Sequence, residues 1–522
     1  MEYVAYYQYL PVDGEKLFTV VLLPSVTGSF PVALWRSPYV AHTSDLTEEE
    51  LVKRCLQSYL RWLERGYAVV FQHCRGQGKS TGAFVPYVHE REDGLALRSW
   101  IREQPFYNGE LFLLGGSYTA SLHYATAPFE PDIKGAVFEV QDSERYRLWY
   151  RNGQMRRGHA NWHFGLYKPK CVLKREFSMR SFAELPLRGL SERAFGERAE
   201  DFEQMLEAEH PTNEFWQTRF GGADARDATT HANIPLLLTT GYNDFYLGGM
   251  FAMWRDMDEN TKRQSAMLVS PYDHGDGYDK AKGLCFPQGK RKEQFGAEYA
   301  IDWLDHIRIG TPIPFEKGMI TYYRTFEERW QSDFYQTATA ELTLPLGIEE
   351  RSLVYDPLSP PCFSAEGSLR TEETSRPDVL TVYTPPLEQD IFVKGKMRAR
   401  LTVSSNAEDT SFYMNISIKK PACEYLIRHD VTSLCYQLGD YEENTVVTLE
   451  FCFDEHAFLL NKGDSLRIDI AATDANVYVP HTNQKGAYSI QTEAKIAVNT
   501  VYLEASQLIL PIEITNKEHG IS

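Results

Sequence analysis

A chain of 522 residues that is 43% apolar and 24% charged has the make-up of a globular protein, with length for about two to four domains. That balance excludes disorder, collagen and coiled coil as descriptions of the whole. The net charge of −18, from 72 acidic against 54 basic residues, argues against nucleic acid and anionic membrane surfaces as partners.

The chain opens with MEYVAYYQYLPVDGEKLF, which has no basic region ahead of an apolar stretch, and FTVVLLP at 18–24 reads as a strand after an Asp-Gly turn. No signal peptide is expected, and no apolar run approaches the roughly 18 residues of a membrane span. Eight scattered cysteines without a CxxC pair fit a reduced, cytoplasmic protein. Short apolar runs follow at 31–35, 67–72, 110–116, 134–140, 234–241 and 265–270, too brief for helices and suited to strands buried on both faces of a parallel sheet. Between them, 46–66 starts like a capping box and ends on Gly66, and 90–104 is amphipathic; both predict helices. This rhythm predicts an α/β core over 1–141 and 231–311. Residues 142–230 interrupt it with aromatic, Arg-rich and helical sequence, and are expected to form a helical cap over the site. From 312 to 522, short alternating runs such as TSFYMNISIKK and DSLRIDIAAT predict an all-β sandwich or jelly roll, with a long loop over 356–390.

The chemistry concentrates in ELFLLGGSYTA at 110–120. A strand runs into Gly115-Gly116-Ser117-Tyr118 and helical sequence follows, the setting in which a tight turn projects a serine oxygen from the sheet edge. The Tyr118 N–H then lies where it can bind an oxyanion. A nucleophilic serine needs a base and an orienting acid, and in α/β-hydrolases these follow in the order acid, then histidine, at later strand ends. IPLLLTTGYND closes on Asp244 and SAMLVSPYDH on His274; Asp273, adjacent to His274, is the weaker candidate for the acid.

These residues resemble the cocaine-esterase and X-Pro dipeptidyl-peptidase-like (S15-type) family of α/β-hydrolases nearly end to end. SPYV at 37–40, CRGQGKSTGAF at 74–84, EDGLALRSWIREQPFYNGELFLLGGSY at 92–118, TTGYNDF at 239–245, SPYDHG at 270–275, FYQ at 334–336 and GDSLRIDIAATDANVYVPHTNQKG at 463–486 carry the likeness. The resemblance implies an α/β-hydrolase core with an inserted helical cap and a C-terminal jelly roll. It implies that Tyr39 supplies the second oxyanion donor through its hydroxyl. Three positions depart from the family pattern: His73 stands where an Asp is usual, Ala120 where a Gly is usual, and Tyr242 where a Trp is usual.

The expected function is therefore a serine hydrolase cleaving a carboxylic ester or amide with Ser117, His274 and Asp244, needing no metal or cofactor. X-prolyl dipeptidyl aminopeptidase and α-amino-acid ester hydrolase or acylase are the alternatives within the family. Such activities need carboxylates to grip a substrate ammonium, and Asp142, Glu144 and Glu139 sit where core meets cap. A catalytically idle jelly-roll binding protein is the alternative from another class. Trp149, Trp162 and Trp216 are candidate pocket walls, and Arg75 is expected to hold its own loop. His159 and His163, four apart, have a spacing that suits a metal, but no third ligand is apparent, so an aromatic pocket is the stronger reading. GQGKS lacks the full phosphate-loop spacing. The expected partner is a small ester, amide or short peptide; a homodimer is allowed, and neither nucleic acid nor membrane is expected.

Overall fold

The computed structural model describes residues 2–513, except 41–42, 44, 143, 168–181, 183, 219–229, 231, 276–285, 339, 371–375, 422 and 488. Cys171 and Cys285 lie outside the described residues; the six described cysteines are free thiols.

Strands β1 (Val4–Val12) and β2 (Glu15–Leu23) form a hairpin whose turn, Asp13-Gly14, takes φ of 48° and 82°. Positive φ at both turn residues is what a type I′ hairpin turn demands, and Asp-Gly supplies it. β3 (Phe30–Ser37), β4 (Ala68–His73), β5 (Tyr107–Gly116) and β6 (Ile133–Glu139) follow, separated by helices. The helix Glu48–Ser58 starts on a capping box in which Thr47 and Glu50 satisfy each other's backbone N–H. The predicted single helix over 46–66 breaks at Tyr59 into two pieces, the second spanning Leu60–Glu64. The second predicted helix spans Glu90–Arg102.

The cap carries a short hairpin, β7 (Tyr150–Arg151) and β8 (Gln154–Met155), among helices Arg145–Trp149, Arg157–Tyr167, Leu190–Phe195, Glu200–Glu207 and Glu214–Thr218. The core resumes with β9 (Leu236–Gly241) and β10 (Ala266–Ser270), whose residues are all buried. β11 (Ile320–Arg324) and β12 (Arg329–Asp333) complete the sheet.

Among the described residues this sheet has ten strands in the order β1-β2-β4-β3-β5-β6-β9-β10-β11-β12. The strands from β4 to β11 in that order pair in parallel. The carboxyl ends of β3, β5, β6, β9 and β10 therefore share one edge, where open α/β sheets bind ligands. Past the expected boundary at 312, β11 pairs in parallel with β10, so the strands of residues 320–333 extend the hydrolase sheet. Short alternating strands look alike in either sheet, and only this long-range pairing separates them.

Among the described residues the C-terminal all-β domain runs from β13 (Ala340–Pro345) to a last strand at Gln507–Glu513. Among the described residues its strands form an eight-stranded and a four-stranded antiparallel sheet over a core of Leu401, Ile416, Phe451 and Ile468. It is laced to the rest. Arg157 N–H donates to Val477 O at 2.9 Å, Val479 N–H to Met155 O at 3.0 Å, and Arg188 N–H to Ser489 O at 2.7 Å. Arg151 reaches from the cap to Asp430 at 2.8 Å and Asp454 at 3.2 Å.

Candidate active site

Ser117 follows β5 and precedes the helix Tyr118–Tyr124, with φ 56° and ψ −135°. A non-glycine residue holds such a conformation only where its surroundings enforce it. Here the Ser117 N–H donates to Glu139 O at 2.9 Å and the Ala120 N–H donates to Ser117 O at 3.0 Å, fixing the turn from both sides. Gly115 makes the turn possible: a Cβ there would stand 2.5 Å from the Thr119 carbonyl and 2.7 Å from Ala120 N. Ala120 itself is fully buried.

Asp244 and His274 are brought together by the turns that end β9 and β10. The Tyr242 N–H donates to Ser270 O at 2.8 Å and the Asn243 N–H to Tyr272 O at 2.9 Å, so the two turns run side by side. That approach needs Gly241, where a Cβ would lie 2.1 Å from Tyr272 O. His274 Nδ1 then lies 2.8 Å from Asp244 Oδ2, and Asp244 Oδ1 accepts the Tyr246 N–H at 2.7 Å. Asp244 is fully buried, whereas His274 keeps 36% of its side chain exposed. Burial pulls the His274 pKa down, but the bond and charge of Asp244 outweigh it and the net shift is upward. The contact to His274 Nδ1 comes from Asp244, and the charge of Asp273 adds to the upward shift of the ring. Phe245 stacks on the imidazole at 5.1 Å between centroids.

Tyr39, just past β3, points its hydroxyl to within 3.5 Å of Ser117 Oγ. Trp162 Nε1–H donates to the same hydroxyl at 3.3 Å, and the Tyr118 backbone N–H also bears on it. Burial raises the Tyr39 pKa, so the phenol stays a donor at neutral pH. Ser117, Tyr39, Asp244 and His274 all line one cavity of about 750 Å³.

Below the site, Arg75 binds Asp93 through Nη2 at 2.5 Å and Nε at 3.3 Å, which anchors the loop after β4. His73 is buried between Phe18 and Phe71, and its Nδ1 accepts the Lys79 N–H at 3.3 Å. Burial takes its pKa down to about 3, so a neutral imidazole does the accepting where the family pattern has a carboxylate. Tyr242 is buried and stacks on His456 of the β domain at 4.3 Å.

The other candidates separate. Trp162 lines the cavity; Trp149 and Trp216 are buried in the cap core, where Trp216 Nε1 donates to Ala208 O at 2.7 Å. Asp142 lines a different cavity, packs against Gly249 and accepts the Glu144 N–H at 2.8 Å. Burial raises its pKa to about 6. Glu144 pairs with Arg147 at 2.9 Å on the surface. Glu139 ends β6 and accepts from Tyr299 OH at 2.9 Å and Thr239 Oγ1 at 3.1 Å. None of these three carboxylates lines the cavity of Ser117. His159 Nε2 meets Tyr246 OH at 3.0 Å and His163 Nε2 meets Asp201 at 3.1 Å, so the two histidines serve separate partners. The sequence reading missed the far wall entirely. Glu366, Arg428, His429, Asp454 and Tyr478 of the β domain line the cavity, with Arg151 and Arg156 of the cap.

Comparison with known proteins agrees with this architecture. Residues 13–276 match the model of the X-Pro dipeptidyl-peptidase (S15 family), and residues 317–508 match the X-Pro dipeptidyl-peptidase C-terminal non-catalytic domain. The chain is 24% identical to the cocaine esterase of Rhodococcus sp. (strain MB1 Bresler), over 96% of both chains. Among solved structures, an α-amino acid ester hydrolase superposes with a TM-score of 0.80 at 18% identity, covering 98% of this chain and 97% of that one. An aminopeptidase from a marine sediment Thaumarchaeota archaeon gives 0.79 at 17% identity, covering 98% and 96%. A CocE/NonD family hydrolase from Staphylococcus aureus gives 0.64 at 15%, covering 98% and 94%. With its catalytic and C-terminal models both matched and its relatives hydrolases, the chain belongs to the X-Pro dipeptidyl-peptidase (S15) family of serine hydrolases.

Proposed function

We propose that Ser117, His274 and Asp244 act as a catalytic triad that cleaves a carboxylic ester or amide through an acyl-enzyme. The observation that carries this is the convergence in one cavity of a strained serine at a strand end and a histidine bound to a buried carboxylate. Ser117 Oγ attacks the substrate carbonyl and its proton passes to His274 Nε2. Asp244 fixes the tautomer, because its carboxylate requires the hydrogen on Nδ1, and it stabilises the imidazolium that forms. Charge gathers on the carbonyl oxygen, where the Tyr39 hydroxyl and the Tyr118 N–H donate. Trp162 supports this step: by donating to the Tyr39 oxygen it leaves the phenolic hydrogen free for the substrate. The intermediate collapses as His274 delivers its proton to the leaving group. Water then attacks the acyl-enzyme, with His274 again as base, and releases the acid.

Ester cleavage is favoured over recognition of an α-ammonium group. Asp142, Glu144 and Glu139 lie outside the cavity; of the carboxylates that line it, Asp244 holds His274, Glu366 and Asp454 are held by Arg428 and Arg151, and Asp273 adjoins His274, whose pKa its charge helps to raise. Fluorophosphonate labelling tests the assignment. The wild type is expected to label once per chain at Ser117, and Ser117→Ala to lose labelling and about 10⁴–10⁶-fold in turnover while keeping its fold. Labelling that survives the substitution, or a tenth of wild-type activity remaining, refutes the nucleophile.

A further inference from the structure

Arg156 brings an unpaired charge to the cavity wall. Its backbone is fixed: the N–H donates to Trp149 O at 2.6 Å, and the residue bridges to Tyr478 of the β domain. Its side chain lines both the cavity of Ser117 and His274 and a second, polar cavity of about 360 Å³. Arg151, Phe245 and Asp454 line both as well, so Arg156 stands at the partition between the two chambers.

The neighbouring charges are matched. Arg151 holds Asp430 at 2.8 Å and Asp454 at 3.2 Å. Glu366 is taken by Arg428 at 3.1 Å and His429 at 2.9 Å. Asp454 responds to Arg156 only behind Arg151, Lys396 and Arg428, and beyond ion-pair distance. Among the described residues the Arg156 guanidinium has no hydrogen bond and no ion pair, and its Nε is shut off from solvent. A guanidinium that no carboxylate neutralises at the wall of a cavity is costly, and an anion entering the cavity would offset that cost. A guanidinium offers a planar fork of N–H donors, which matches a carboxylate. The rest of the wall near the reacting serine is aromatic, formed by Tyr39, Trp162, Phe245 and Tyr246.

We infer that Arg156 is a specificity-determining residue that receives a carboxylate carried by the substrate, so that the preferred substrates are esters or amides with an apolar body and a remote carboxylate. This rests on the hydrolase reading and deepens it. It also sets this chain apart from any relative that grips an ammonium, since the unmatched charge here has the opposite sign.

The test uses the whole 522-residue chain and two pairs of substrates. One pair places the charge on the acyl side: the mono-4-nitrophenyl ester of glutaric acid against the same ester with its free acid methylated. The other places it on the leaving group: 4-acetoxybenzoate against methyl 4-acetoxybenzoate. The wild type is expected to prefer the charged member of one pair in kcat/KM, and that pair identifies the half of the substrate that meets Arg156. In Arg156→Gln the preference should fall about 10–100-fold, chiefly through KM, with Arg156→Lys intermediate because it keeps charge but loses the fork. Free glutarate should inhibit the wild type competitively. A charged-to-neutral ratio that changes less than threefold in Arg156→Gln for both pairs overturns the inference. If the variant fails to fold, a wild type that shows no preference and no inhibition by glutarate overturns it equally. Absence of fluorophosphonate labelling in the wild type would instead strike the hydrolase reading beneath it.

Discussion

Replacing Tyr39 with phenylalanine removes one oxygen from the proposed oxyanion site and little else. The hydroxyl lies 3.5 Å from Ser117 Oγ, and Trp162 Nε1–H donates to it at 3.3 Å. Tyr39 is about a third exposed, so water can replace the lost acceptor for Trp162. The ground-state cost is therefore that of one ordinary hydrogen bond, about 0.5–1.5 kcal/mol. In the transition state the loss is larger, because the donor faces a full oxyanion: about 2.7–4 kcal/mol, or about 10²–10³ in kcat. KM should stay within a few fold, since the neutral carbonyl of the bound substrate gains little from the same donor. Steady-state kinetics on the best ester, with thermal melting as the control for folding, separates the two contributions. Fluorophosphonate labelling should slow in parallel with kcat, because the phosphonyl oxygen seeks the same hydroxyl. A kcat within threefold of wild type refutes the role of Tyr39, and a rise in KM that accounts for the whole loss assigns it to binding instead.

Asp244→Asn should cost about 10⁴-fold in turnover and Asp273→Asn far less, because the carboxylate of Asp244 is the one bonded to His274 Nδ1; the reverse ranking in the same assay refutes the pairing. The pH profile follows from the same contact. Only neutral His274 can take the proton, and Asp244 holds its pKa above the ordinary value, so kcat/KM should be lost as pH falls through a midpoint above about 6.5. In Asp244→Asn, burial acts without the carboxylate, and the residual activity should lose its acid limb at lower pH than the wild type does. Truncation after β12, at Asp333, should give insoluble or inactive protein, because it leaves Arg151 without Asp430 and Asp454 and strips the far wall from the cavity. A soluble, fully active 1–333 fragment, judged by gel filtration and ester turnover, would contradict that.

What the sequence makes legible follows the range of the interactions involved. Ser117, Asp244 and His274 each sit at a strand end, and the pattern of a short apolar run closing on a polar residue is local, so it can be read without coordinates. The hairpin at Asp13-Gly14 and the capping box at Thr47 are equally local. Tyr39 reads only through the resemblance, since a tyrosine after Pro38 has many uses. Asp142 and Glu144 lie near the site in sequence, yet the helix at Arg145–Trp149 and the contact with Gly249 carry them away from it. Trp149 and Trp216 are buried for the ordinary reason that large apolar rings fill cores. The charged far wall is illegible because Glu366, Arg428 and Asp454 line the cavity of Ser117 from hundreds of residues away in the chain. Arg156 illustrates the limit: nothing in its neighbours along the chain says that no carboxylate will meet it.

The lacing of cap to β domain has a consequence for how this enzyme diversifies. A catalytic module with a bolt-on accessory could change partners by recombination and keep its specificity. Here, Val479 and Met155 share a backbone hydrogen bond, Arg151 spans the junction, and residues from both sides line the cavity of the proposed nucleophile Ser117. A β domain exchanged for that of a distant relative would arrive with a foreign wall, and the chamber would have to be rebuilt from both halves. Substitutions that retune the choice of substrate should therefore arise as readily between residues 364 and 478 as beside the nucleophile, in a region that a reader looking only for chemistry would pass over.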